Sequence, residues 1–216
     1  MRDLLNKLGK EEEQSENKEL KIDDNLNARL DLMVKSFEKG FEHYPAKVNF
    51  QLYNLFGKII DENIELNSQE ELTMLPFRLA EYQWERGFDY LAGLYLSALI
   101  NKSKYYTHTI STKSFSKRIN FLGYENCKNL VVDGDVGLYF AFKMECGKIT
   151  LNGSCLNRVG LISFGGQIYL NGDFGAIPKT AKVEIYHEGK LIFKEGKPIN
   201  PKDFEYDEVN KIYIPK

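Results

Sequence analysis

Ile149-Thr150-Leu151-Asn152-Gly153-Ser154 decides how this chain folds, because the same pattern stands once before it and once after it. The earlier copy is Leu130-Val131-Val132-Asp133-Gly134-Asp135, the later one Ile168-Tyr169-Leu170-Asn171-Gly172-Asp173, each displaced by 19 residues. Aligned, Leu130/Ile149/Ile168 and Val132/Leu151/Leu170 are apolar in every copy and two residues apart, so they share one strand face. Val131/Thr150/Tyr169 vary freely, as an outward position does, and Val136/Cys155/Phe174 continue the apolar series. Asp133/Asn152/Asn171 are expected to hydrogen-bond local backbone at a bend. Gly134, Gly153 and Gly172 supply either a positive-φ corner or a place with no room for a Cβ. A second glycine step stands at Gly147 and Gly166.

Coils of this length, with one apolar ladder each, stack as a right-handed parallel β-helix that rises roughly 4.8 Å per coil. A stack of about three coils leaves two open sheet edges, which pair with other chains unless covered. The flanking sequence offers a cover for each. A hairpin is expected downstream, with Val183-Glu184-Ile185-Tyr186 and Lys190-Leu191-Ile192-Phe193 joined by Glu188-Gly189. Upstream, Ile119 to Glu125 reads as a shorter half-coil, and before it the period turns helical.

Leu26, Leu30, Met33, Phe37 and Phe41 fall on one helical face, and Pro45 ends that helix. Val48, Leu52, Leu55, Phe56 and Ile59 predict a second helix reaching about Asp61. Ser68 with Glu71 forms a capping box, and Pro76 separates a short helix from a long apolar one over about Phe77 to Lys102. That last helix is apolar most of the way round, which marks a central element, and Ala92, Gly93, Ser97 and Ala98 let a neighbour approach closely. The predicted class is α+β. Its divisions are a mobile charged arm (1–24), a helical domain (25–103), a basic-aromatic connector (104–118), the β-helix (119–181), and a hairpin with a C-terminal tail (182–216).

Met144-Glu145-Cys146-Gly147-Lys148-Ile149-Thr150-Leu151-Asn152-Gly153, followed by Gly165-Gly166-Gln167-Ile168-Tyr169-Leu170-Asn171-Gly172-Asp173-Phe174-Gly175, resembles the glycine-repeat β-helix domain of the glutamate synthase large subunit. The same type of domain occurs in one of the subunits of formylmethanofuran dehydrogenase. The likeness covers about residues 119–180 and departs from the family pattern at Cys146 and Leu156, where glycines would stand. It implies a structural, interdomain role and supplies no catalytic residues.

A composition of 43% hydrophobic and 28% charged residues is that of a globular chain, and a net charge of −2 gives no global preference for nucleic acid or an anionic membrane. The first residues lack the apolar core of a secretory signal, no apolar run is long enough to span a bilayer, and three cysteines without secretory context read as reduced thiols. These features predict a cytoplasmic protein. Cys127 and Cys146 lie above one another in adjacent coils as stacked small side chains, and two ligands alone do not make a zinc site. Cys155 is core. His43, His108 and His187 fall in no nucleophile or metal motif, the Asp/Asn-Gly steps are too sparse for repeated calcium loops, and Gly165-Gly166 opens no helix for phosphate.

Residues 101–118 hold the one stretch with evident binding chemistry. Lys102, Lys104, Lys113, Lys117 and Arg118 occur there without an acidic residue, interleaved with Tyr105 and Tyr106. Cations attract phosphates and the tyrosines stack on bases. The competing reading is a solvated linker whose aromatics lie under the helical domain. The expected function is a non-catalytic scaffold or protein-interaction module, with no catalytic, cofactor or metal site and with a protein partner or a second copy of itself. The alternatives are an accessory subunit of a glutamate synthase-like or formylmethanofuran dehydrogenase-like complex, and an RNA-associated protein.

Overall fold

The computed structural model describes residues 24–42, 60 and 64–216. The predicted arm, the second helix and His43 lie outside the described residues. Among the described residues three helices, α1 (Asp24–Glu42), α2 (Gln69–Leu79) and α3 (Phe88–Lys102), precede a right-handed β-solenoid of about four coils and a C-terminal antiparallel sheet. The coil strands are β1 (Thr107–Ser111), β2 (Asn129–Asp133), β3 (Lys148–Asn152) and β4 (Gln167–Leu170). Each pairs in parallel with the next, and the register is that of the repeat: Leu130 faces Ile149, and Ile149 faces Ile168. All six residues of the two apolar ladders are buried, and Val136, Cys155 and Phe174 bridge in parallel beside them.

The stack has one rung more than the repeat reveals. Its first strand is Thr107–Ser111, inside the stretch read as a connector, and residues 119–125 form a corner rather than a half-rung. The reason is visible in β1 itself. Only His108 and Ile110 point inward, the other positions are Thr and Ser, and the step to β2 is 22 residues rather than 19.

Each coil turns its far corner with alternate residues in the left-handed region: 121, 123 and 125, then 139, 141 and 143, then 158, 160 and 162. Only Gly123 and Gly160 among these are glycines, and each L-residue held there costs about 1–2 kcal/mol. Hydrogen bonds from the same backbone positions to the next coil offset that strain: Phe121 N–H to Leu138 O (3.0 Å), Tyr139 N–H to Asn157 O (3.2 Å), Arg158 N–H to Ala176 O (2.8 Å). Gly147 and Gly166 make positive-φ corners ahead of β3 and β4. Gly153 and Gly172 instead lie where a Cβ would meet the backbone of the coil before, 2.3 Å from Gly134 O and 2.7 Å from Gly153 O. The side chains beside them bond along the stack rather than to local backbone, Asn171 Nδ2 donating to Asn152 Oδ1 at 2.9 Å.

Both sheet edges are covered. Gln69 of α2 donates its amide to Thr109 O and accepts from Thr109 N, so its side chain stands in for a missing strand beside β1. At the other end β6 (Glu184–His187) continues the parallel sheet and hairpins into β7 (Lys190–Lys194) through Glu188-Gly189, both at positive φ. A two-residue β8 (Lys197–Pro198) closes that edge with a proline, which suits an edge position. The predicted tail is structured: β9 (Phe204–Asp207), β10 (Ile212–Pro215) and the short β5 (Ile177–Pro178) make a second, antiparallel sheet.

In the helical part the α1 stripe is buried at Leu26, Leu30, Met33 and Phe37. Ser68 caps α2 by accepting from Glu71 N at 3.2 Å, whereas the Glu71 carboxylate accepts from Asn67 N (2.7 Å) and pairs with Arg29. Pro76 does not separate two helices. It lies buried inside α2, and α3 begins only at Phe88, after a left-handed Gly87. Interior proline costs roughly 3 kcal/mol, and the buried face of Leu72, Leu75 and Leu79 that continues past it offsets that cost. The small face of α3 meets the first coil: a Cβ on Gly93 would lie 1.7 Å from Asn120 O, and Ser97 Oγ accepts from Gly123 N at 2.9 Å. One continuous hydrophobic cluster runs from Leu26 in α1 through the coils to Phe204 in β9.

Candidate functional site

The strand β1 divides the predicted basic stretch into two groups. At its start the cations hold the fold together. Lys102 Nζ donates to Ile60 O at 2.5 Å, Lys104 lies over the Tyr105 ring, and Tyr105 OH donates to Asn67 O at 2.8 Å. Tyr106 is exposed, with its carbonyl accepting from Asn129 N. Lys113, Lys117 and Arg118 lie beyond the other end of β1, about 13 Å along the strand. The seven residues therefore do not form one continuous track.

The second group lines a groove of about 450 Å³. Its rim is the turn after β1, where Phe115 N donates to Thr112 O at 3.1 Å and Thr112 Oγ1 donates to Asp135 O at 2.9 Å. Its floor is the corner column after β2 and β3, with Gly134, Asp135, Asn152 and Gly153. The repeat glycines Gly134 and Gly153 line that floor, while Gly147, Gly166 and Gly172 are not part of it.

Two of the three cations in the groove are paired. Lys113 bridges Asp133 at 2.6 Å and Arg118 bridges Asp135 at 2.7 Å. Asp135 also accepts from Ser154 N at 2.8 Å, and that backbone donor, followed by Arg118, holds its carboxyl below the usual aspartate range. Lys117 is placed differently, with its ammonium 5.0 Å from the centre of the Trp84 ring. Gln83 Oε1 accepts from both Ser116 N (2.8 Å) and Ser116 Oγ (2.5 Å), which fastens the Trp84 turn to the rim. Trp84 is 73% exposed.

Asp135 and Asn152, which line the groove, and Trp84, which stands beside it against Lys117, are not singled out by reading along the chain. The signal for Trp84 is local: the only tryptophan of the chain stands between Gln83 and Glu85-Arg86, a polar setting that does not bury an indole. Asp135 and Asn152 sit at repeat positions and look purely structural until the turn after β1 folds over them.

The cysteines differ from expectation. Cys127 and Cys146 do stack in adjacent coils, with Cα atoms 4.4 Å apart, but they are joined as a disulfide. The reading of three reduced thiols is thereby corrected, and the cytoplasmic expectation loses that support, since disulfides persist chiefly in oxidising compartments. Cys155 is free and buried, and burial pushes its thiol up to about 12. His108 is buried in β1 with Nε2 3.0 Å from Tyr105 O, and His187 packs edge-on against Phe174. Among the described residues no group of three or more His, Cys, Asp or Glu side chains is placed to hold a metal ion, and no described helix is long and apolar enough to cross a membrane.

No family model, no curated protein and no solved structure matches this chain.

Proposed function

We propose that the protein is a non-catalytic interaction module in which the capped solenoid holds a docking face on the helices α1 and α2. The observation that carries this reading is the apolar surface beside the α1–α2 seam. Leu32 is 54%, Met74 38% and Phe77 55% exposed. Met74 and Phe77 share one face of α2 by their spacing. Leu32 adjoins Asp31, Phe77 adjoins Arg78, and the Arg78 guanidinium contacts Asp31 across the seam at 3.4 Å. Large apolar side chains left exposed on neighbouring helices are the kind of surface by which proteins dock. The partner is a second copy of the chain or another protein.

Light scattering of the purified chain, together with native affinity capture, tests the reading. Self-association or a stoichiometric partner that is lost in the Phe77→Asp variant supports it. A strict monomer that retains no partner, or capture unchanged by Phe77→Asp, removes it.

A second reading rests on the stacked Gly134, Gly153 and Gly172 column and the 19-residue coil, which are the features that resemble the glutamate synthase-type glycine-repeat domain. On that reading the chain is an accessory subunit, and a catalytic subunit would elute with it in the same capture.

A further inference from the structure

We infer that Asn152 is an acceptor of N-linked oligosaccharide, which roots a glycan in the groove beneath the turn after β1. The inference does not rest on the docking reading, since a chain without a protein partner can carry a sugar.

The chemistry of transfer sets three requirements. A transferase takes an asparagine that is followed, after any residue but proline, by Ser or Thr. The amide nitrogen must be available, because the new bond forms between Nδ2 and C1 of the first sugar. The bond from C1 to the terminal phosphate of a polyprenyl diphosphate breaks, that diphosphate leaves with the electron pair, and one amide proton passes to the enzyme. The product is bulky and hydrated, so it must stand on the surface of the folded chain.

Two places in the sequence meet the first requirement, Asn101-Lys102-Ser103 and Asn152-Gly153-Ser154. The structure separates them. Asn101 stands in the last turn of α3, half-buried, and its Nδ2 donates to Tyr124 O at 2.9 Å and to Glu125 O at 3.3 Å. Ser103 is buried, with its hydroxyl accepting from Tyr105 N at 3.1 Å. A sugar on Asn101 would have to stand where the corner of the first coil now meets α3.

Asn152 is the opposite case. It is the last residue of β3, it is exposed, and the chain bends at Gly153 directly after it. Its Oδ1 accepts from Asn171 Nδ2 at 2.9 Å, while among the described residues nothing accepts from its own Nδ2. Substitution on Nδ2 therefore keeps the bond to Asn171 and costs the coil stack no hydrogen bond. The corresponding corners of the other two repeats cannot serve, since Asp133 has no amide and Asn171 is followed by Gly172-Asp173.

The disulfide points the same way. Bridges such as Cys127–Cys146 persist chiefly in oxidising compartments, and transfer from a polyprenyl diphosphate takes place in those compartments too. Asn152 lines the groove together with Lys113, Lys117 and Arg118, so a glycan rooted there overlies that basic rim.

The full chain is isolated from the cells that make it and digested with trypsin. Mass spectrometry of the peptide covering residues 149–158 reads Asn152, and that of the peptide covering 87–102 reads Asn101. The glycopeptide mass is the readout, because an Asn-Gly pair also deamidates and conversion to Asp alone does not report a sugar. The expected result is an oligosaccharide on Asn152 and none on Asn101. Chain from the same cells carrying Asn152→Gln or Ser154→Ala should lose the whole oligosaccharide from its intact mass, while Ser154→Thr keeps it. If Asn152→Gln fails to accumulate, Ser154→Ala decides, because that substitution leaves Asn152 and its bond to Asn171 in place. An unmodified Asn152 in the wild-type chain overturns the inference. So does a glycan on Asn101, or one that persists in Asn152→Gln or Ser154→Ala.

Discussion

Removing the Cys127–Cys146 bridge measures how much the coil stack depends on a covalent staple. The bond closes a loop of 19 residues, one full coil, between the segments that lead into β2 and β3. In the chain-entropy treatment a loop of that length destabilises the unfolded state by about 3 kcal/mol at 25 °C. The sulfurs are not core groups, since Cys146 is exposed and Cys127 half-buried, so Cys127→Ser with Cys146→Ser adds little packing loss to that figure. For a chain of this size each kcal/mol moves Tm by roughly 2–4 °C, so the double variant should melt about 6–12 °C below the oxidised wild type. The assay is thermal unfolding followed by circular dichroism, with and without a phosphine reductant. Thiols are counted after denaturation: one in the oxidised protein, the buried Cys155, and three after reduction. Reductant should lower the wild-type Tm to that of the double variant and leave the variant unmoved. The reasoning is refuted if the untreated protein yields three thiols, or if it yields one and the double variant melts within about 2 °C of it.

Three further outcomes follow from the geometry. Gly153→Ala should cost about 1–3 kcal/mol in a denaturant titration, because the new Cβ would sit 2.3 Å from Gly134 O in rigid coil backbone. Gly189→Ala, in open space but at φ +78, should cost only about 1 kcal/mol, and equal losses would show that the coil corners are not tightly spaced. Gln69→Leu leaves the β1 edge without its side-chain partner, so amide exchange at Thr107–Ser111 should accelerate while that of β3 is unchanged; slow exchange at Thr109 would contradict the capping role. Hydrogen bonds from Lys194, Gln167 and Tyr186 hold the Glu184 carboxyl down to about 2 against an ordinary 4.5. A folded pKa below the unfolded one means stability that is present above about pH 4.5 and lost as pH falls toward about 2. Carboxyl NMR titration should place Glu184 there, and Lys194→Ala should move it upward; an ordinary midpoint in the wild type would dispose of the network.

The parts of this molecule that could be read along the chain are those whose physics is local and repeated. Alternation at Leu130 and Val132 sets an inward face within a strand, and a constant step of 19 residues brings those faces into register whatever else the chain does. The hairpin at Glu188-Gly189 was legible because a two-residue turn has local requirements. What escaped was non-repeating. β1 carries too few apolar residues to announce itself, and joins the sheet because α2 covers its edge. Phe121, Tyr139 and Arg158 take left-handed corners against their intrinsic preference, held there by the coil that follows each.

The same division applies to the candidate site. Lys113, Lys117 and Arg118 were visible as a basic cluster, and on sequence grounds they suited phosphates. Folding reassigned them, since residues 20 and 17 positions away, Asp133 and Asp135, came to stand against Lys113 and Arg118. The sequence by itself determined the coil, its ladder and its glycine column, because periodic burial is a property of spacing. Only the tertiary structure decided where the stack begins, that Cys127 and Cys146 are bonded, and which carboxylates stand against Lys113 and Arg118, because a Coulomb interaction depends on distance in space and not on distance along the chain.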